Sequence, residues 1–219
     1  MLGFNLSDIL INVPITLVAL TGHELAHAYV SAKLGDPTPR MHGRLTVNPL
    51  AHLDLVGTLL MIFTGFGWAK PVMVDPRYYK NRKQGMALTA IAGPVANLIM
   101  AFLALLIYAL IYVICVKLNF QASKVVNIAG MIFGAFAIRN LCFMVFNIIP
   151  IPPLDGSKVL GMFLPDKTYY TMLQYERYSM ILIMVLSLTG AFSRIIGVGV
   201  NAFMNGIMSL LMVGINLIL

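Results

Sequence analysis

Ile15-Thr-Leu-Val-Ala-Leu-Thr-Gly-His-Glu-Leu-Ala-His27 sets two imidazoles and a carboxylate inside a run otherwise suited to apolar surroundings. The segment from about Ser7 to Lys33 reads as one helix, with Ser7 or Asp8 as cap and Pro14 inside it. Gly35-Asp-Pro-Thr-Pro39 stops it. At about 1.5 Å per residue, such a helix can cross a hydrocarbon layer with some tilt. Ionisable groups within it are costly unless partnered, which makes His23, Glu24 and His27 functional candidates by default.

The rest of the chain fits the same solvent. Of its 219 residues, 59% are hydrophobic and only 11% charged, against about a quarter charged in ordinary soluble domains. Further apolar runs occupy residues 84–116, 125–149, 178–193 and 195–219, broken near Ala92-Gly-Pro94, at Arg139 and at Arg194. The prolines of Pro150-Ile-Pro-Pro153 end regular helix. Between the first two helices, Arg44-Leu-Thr-Val47 alternates and reads as strand and turn, at the interface or shielded by the helices, and 53–68 either spans or re-enters. The expected fold is an all-α polytopic membrane protein with about five transmembrane helices plus a re-entrant or membrane-associated β hairpin region. It forms a single domain over residues 1–219 in the cell membrane.

The net charge of +7 points to lipid headgroups rather than nucleic acid, because the basic residues lie in short connections between apolar runs. If 53–68 re-enters, eleven of the 15 Lys and Arg, from Lys33 through Arg44, Lys70 through Lys83, and Lys158 through Arg177, fall on the cytoplasmic side. Lys117, Lys124 and Arg194 fall outside, and Arg139 lies in the membrane. The same arrangement brings the depth of His23 and His27 to that of Asp155. Cys115 and Cys142 sit in apolar runs and read as packed thiols, so any bound metal takes nitrogen and oxygen ligands.

His23-Glu-Leu-Ala-His27 is the sharpest chemical signal. Residues four apart share a helix face, so both imidazoles can reach one ion, while Glu24 lies about 100° round the axis, beside a bound water. Zinc suits neutral imidazoles and lowers the pKa of that water, and a carboxylate can then carry its proton to a departing amine. A tetrahedral ion needs a third protein ligand, with Asp54, Asp155, His42 and His52 as candidates. Asp155 is favoured, because Asn147-Ile-Ile-Pro-Ile-Pro-Pro-Leu-Asp-Gly156 holds irregular backbone against a helix and Gly156 permits close approach. His52 and Asp54 read equally as a hydrogen-bonded pair or a secondary metal site. Asn97 reads as fastening helix to helix or orienting a ligand, with packing slightly favoured.

The ordered set of His23-Glu-Leu-Ala-His27, Gly43-Arg-Leu-Thr-Val-Asn-Pro49 with Ala51-His-Leu-Asp54, Phe66-Gly-Trp-Ala-Lys-Pro71, Ala92-Gly-Pro-Val-Ala-Asn97 and Asn147 to Gly156 resembles the site-2 protease family of intramembrane zinc metalloproteases, peptidase family M50. It looks most like the small members made of the membrane core alone. The resemblance implies one zinc ion held by His23, His27 and Asp155, water activated by Glu24, and Asn147 positioning substrate or stabilising the oxyanion. It also implies membrane-associated β structure near Gly43 to Pro49 and transmembrane protein or peptide substrates, cut near the cytoplasmic side. A helix-binding membrane chaperone or an ion-translocating protein are the alternatives, separated from it by turnover, zinc content and ion flux.

Overall fold

A computed structural model of the chain describes residues 6–58, 69–118 and 124–218. Helix α1 (Leu6–Lys33) is followed by the short α2 (Thr38–Met41), and 3₁₀ turns occur at Pro49–His52 and Pro76–Tyr78. Helix α3 (Arg82–Lys117) starts from an Asn81 cap whose side chain accepts from the Gln84 N–H. There follow α4 (Lys124–Ile148), the single-pair-of-turns α5 (Asp155–Gly161), α6 (Asp166–Gln174), α7 (Glu176–Leu188) and α8 (Ala191–Ile218).

Helices α1, α3 and α4 pack on one another, and α8 covers α3 and α4 on another side. Small residues make the central contact possible. Ala101, Ala104 and Ala109 of α3 and Ala137 of α4 let the backbones approach, and Leu141, Met144, Val200, Ile207 and Leu211 fill the seam. Cys115 and Cys142 are free thiols.

Two expectations about the architecture are corrected. Among the described residues three helices, not five, are long and apolar enough to cross a membrane: Arg82–Lys117, Lys124–Ile148 and Phe192–Leu217. Helix α1 has the length but carries Asp8, His23, Glu24, His27 and Lys33. With 13 residues, α7 reaches only about 20 Å, short of the roughly 30 Å of hydrocarbon. It therefore does not carry the chain across. Phe192, at the start of α8, lies instead beside Leu154 and Phe146, which places Arg194 toward the Asp155 end of the bundle rather than opposite it.

The expected β hairpin is also absent among the described residues, where pairing is limited to one antiparallel bridge, Leu53 with Ala69. Polar side chains around residues 44–50 bond locally and so compete with a ladder. Thr46 Oγ1 accepts from the Asn48 N–H, Asn48 Oδ1 accepts from the Leu50 N–H, and the Arg44 guanidinium donates to the carbonyls of Ala51 and Lys70. Whether 53–68 spans or re-enters falls largely outside the described residues.

Several contacts bring the chain's polar connections to one end. Lys83 Nζ donates to the Leu164 carbonyl at 2.7 Å and pairs with Asp166 at 2.6 Å. Tyr79 meets Ser31 at the end of α1. The ends of α1, α3 and α5 thus meet, and the candidate site lies just inside them.

Candidate metal centre

Helix spacing puts His23 and His27 on one face of α1, with their rings edge to face at 87° and centroids 4.5 Å apart. The third member arrives from far along the chain. Past α4, the proline-rich turn folds back, and Gly156 packs so tightly on the helix end that a Cβ there would stand 2.0 Å from the Ile148 carbonyl oxygen. Only glycine allows that approach, and it brings Asp155 at the head of α5 to the imidazoles. Asp155 Oδ2 lies 3.2 Å from His23 Nε2 and 3.1 Å from His27 Nε2, and the two Nε2 atoms are 3.0 Å apart. All three side chains are buried. They form the one group of His, Cys, Asp or Glu ligands among the described residues that could hold a metal ion.

The outer nitrogens decide what the inner ones can do. His27 Nδ1 is 2.7 Å from the Thr89 carbonyl, which can only accept, so Nδ1 carries a proton and, in the neutral ring, Nε2 presents a lone pair. His23 Nδ1 is 2.6 Å from Asn97 Oδ1. The Asn97 amide nitrogen donates to the Ala19 carbonyl at 3.2 Å, which leaves its oxygen to accept from His23. In the neutral rings both Nε2 atoms are then bare and face a carboxylate oxygen. Three lone-pair donors at 3.0–3.2 Å repel unless a cation stands among them. Atoms about 2.0–2.1 Å from a tetrahedral zinc ion lie about 3.3 Å from one another, so this donor set fits that ion with little movement.

The trio opens on a cavity of about 420 Å³, with apolar walls from Leu20, Val72, Met86, Phe143, Phe146 and Met180. Glu24 lies in the same cavity, where its Oε2 accepts the Val72 N–H at 3.3 Å. Asn147 also lines it, with Nδ2 turned back to the Phe143 carbonyl at 3.0 Å. Lys158 Nζ lies 3.3 Å from Asp155 Oδ1, leaving the other carboxylate oxygen toward the histidines.

The competing candidates do not join this group. His42 is exposed at the end of α2. His52 is buried and donates from Nε2 to the Thr46 carbonyl at 2.9 Å. Asp54 Oδ1 accepts the Gly57 N–H at 2.8 Å. Among the described residues His52 and Asp54 belong to no group that could hold a metal ion, and each bonds to main chain. The sequence slightly favours a packing role for Asn97 over orienting a ligand, yet it touches His23 directly. It did not single out Thr89, whose contribution is a main-chain carbonyl and leaves no mark in side-chain identity.

A family model, Peptidase family M50, matches residues 13–191 of the chain. A Bacillus subtilis relative provisionally named as a zinc metalloprotease, YwhC, is 38% identical over 194 residues, covering 89% of this chain and 87% of its own. Two mycobacterial proteins provisionally named as the zinc metalloprotease Rip2 also match. The one from Mycolicibacterium smegmatis is 27% identical, over 81% of this chain and 66% of its own. The one from Mycobacterium tuberculosis strain H37Rv is 30% identical, over 78% and 64%. No solved structure gave a significant match.

Proposed function

The chain belongs to peptidase family M50, and on that premise we propose that this metalloprotease is an intramembrane endopeptidase. In this reading residues 1–219 form one membrane-embedded domain in the cell membrane, and it hydrolyses transmembrane substrates near the cytoplasmic side. The observation that carries the reading is the convergence of His23 Nε2, His27 Nε2 and Asp155 Oδ2 to within 3.2 Å, with an oxygen acceptor against the Nδ1 atom of each imidazole. The depth assignment is supported by the apolar helices α3 and α4, which pack on α1 and line the cavity beside the trio, with α8 packed against both.

His23, His27 and Asp155 would hold one zinc ion. Bound there, zinc supplies Lewis acidity, which lowers the pKa of water and polarises a peptide carbonyl. Glu24, whose carboxylate shares the cavity, takes the proton from the attacking water and delivers it to the departing amide nitrogen. Its hydrogen bond from Val72 holds the carboxylate at the cavity wall until a substrate displaces or shares it. Asn147 can swing Nδ2 from the Phe143 carbonyl toward the oxygen that gains charge, a shift that needs only rotation of its side chain. Apolar walls suit substrate side chains drawn from a membrane helix. Because a helical peptide bond is occupied by its own hydrogen-bond ladder, the substrate must unwind locally before attack.

Glu24→Gln tests the assignment. The variant keeps shape and loses the base, so peptide hydrolysis should fall by at least about a thousandfold, the upper part of the range for general-base loss, while zinc per chain stays at the wild-type value. Turnover near wild type in the purified variant would remove Glu24 as the base. Zinc-free but folded wild-type protein would remove the metal reading altogether.

A further inference from the structure

Asn140 touches none of the three ligands and does not line the cavity, yet it is completely buried at the centre of α4. Its amide nitrogen donates to the Phe136 carbonyl, one turn back in the same helix, at 2.9 Å. A carbonyl cannot donate, so this contact fixes which end of the amide is nitrogen, and Oδ1 is left facing α3. There it accepts from Asn97 Nδ2 at 2.8 Å. Asn97, also fully buried, has two amide hydrogens, and both are now placed: one on Asn140 and one on the Ala19 carbonyl of α1. Its oxygen has one role left, accepting from His23 Nδ1.

We propose that Asn140 is a positioning residue for the metal centre: through Asn97 it fixes His23 in the Nδ1–H tautomer and so sets zinc affinity. This rests on His23 being a zinc ligand. Each link has one possible polarity, and the chain of links is pinned at Phe136 and Ala19 by main-chain carbonyls. Without Asn140, one hydrogen of Asn97 has no acceptor in an apolar seam, and turning the amide over becomes cheaper. The turned amide presents N–H to His23 Nδ1, which drives the ring to carry its proton on Nε2, the atom the ion needs. Affinity falls in proportion to the population that makes this change, and the imidazole that remains correct is held less firmly.

The alternative is that Asn140 only fastens α4 to α3. The two roles differ in a measurement that packing does not control. Full-length wild type, Asn140→Leu, Asn97→Ala and a packing control, Leu141→Ala, are purified in detergent. Zinc dissociation constants are read by competition with a chromogenic chelator, and melting temperatures are read on the zinc-free proteins. The proposal expects about tenfold weaker zinc binding in Asn140→Leu and a loss of about 10–100-fold in Asn97→Ala. Leu141→Ala, fully buried beside Asn140, should melt lower with unchanged zinc affinity. Wild-type affinity in a folded Asn140→Leu would overturn the proposal and leave the fastening role.

A second measurement needs no variant. In histidine-¹⁵N-labelled, zinc-free wild type, the His23 ring should carry its proton on Nδ1, and a proton on Nε2 would overturn the proposal. His23→Ala separates this inference from the reading it rests on. If that variant binds zinc as wild type does, His23 is no ligand and both fall; if it loses zinc while Asn140→Leu does not, only the relay falls.

Discussion

A methyl group at Gly93 would stand 2.5 Å from His27 Nε2 and 2.6 Å from His23 Cε1, closer than any real Cβ contact. Both rings are held from behind, by Asn97 and by the Thr89 carbonyl, so neither can retreat without giving up its hydrogen bond. Gly93 is therefore the space into which the ligand pair fits. Gly93→Ala should fold, since helix α3 tolerates alanine, but should bind zinc at least about tenfold more weakly, by analogy with lost ligand support. Chelator competition on the purified variant checks this, and wild-type affinity would mean the rings have slack that the packed distances deny. At this scale the sequence was readable where chemistry has a spacing. His23 and His27 are four apart, and Asp155 sits in a proline-bounded turn. Gly93 was visible only as a letter of a motif, and Asn97 was left between fastening helices and orienting a ligand, because nothing local tells an amide which neighbour it will meet.

At the level of elements, a latch joins the end of α1 to the segment that crosses the cavity. Asp36 is buried just past α1 and accepts from Ser31 Oγ at 2.8 Å, from the Thr38 N–H at 2.9 Å and from the Asp75 N–H at 2.8 Å. Ser31 Oγ also meets the Tyr79 hydroxyl at 2.8 Å, and that hydroxyl lies 3.2 Å from Thr89 Oγ1. The stretch between Asp75 and Tyr79 is thus fixed just beyond Val72, the residue that bonds Glu24. Burial pushes the Asp36 carboxyl up, but the hydrogen bonds from Thr38, Asp75 and Ser31 outweigh it and hold the group below its ordinary value. A carboxylate depressed on folding stabilises fully above its unfolded pKa of about 3.9 and loses that contribution as pH falls toward the folded value. Asp36→Asn, which would turn an N–H toward Asp75, should melt lower than wild type at neutral pH. The gap should narrow as pH drops below about 4. Thermal unfolding of both proteins in detergent across that range is the check, and a gap that widens in acid would reverse the assigned sign. Helix existence was readable from the apolar runs, whereas crossing was not. The run 178–193 looked like a span because composition was right, and only the turn after 13 helical residues and the packing of Phe192 on Phe146 show where it goes.

For the whole molecule, charge and contact geometry give independent accounts of orientation. Lys83 bonds the 164–166 turn and Tyr79 bonds Ser31, so the polar connections around 31–44, 75–83 and 155–167 share one end of the bundle. Ten of the 15 basic residues fall there or in the Arg177 stretch that follows. Lys117 and Lys124, at the facing ends of α3 and α4, mark the opposite end, because α3 is 36 residues and about 54 Å long. An excess of lysine and arginine stays on the cytoplasmic side, so the metal centre should open toward the cytoplasm. The placement of Arg194 at the site end, which composition alone assigned to the far side, strengthens that bias rather than opposing it. Single cysteines in a background lacking Cys115 and Cys142 test the arrangement. At Met41, exposed at the site end, a cysteine should react with a membrane-impermeant maleimide only after cells are opened. At Leu118, exposed at the other end, it should react in intact cells. The reverse pattern would put Glu24 and its water supply on the outer face, and the substrate bond would then have to be reached from there.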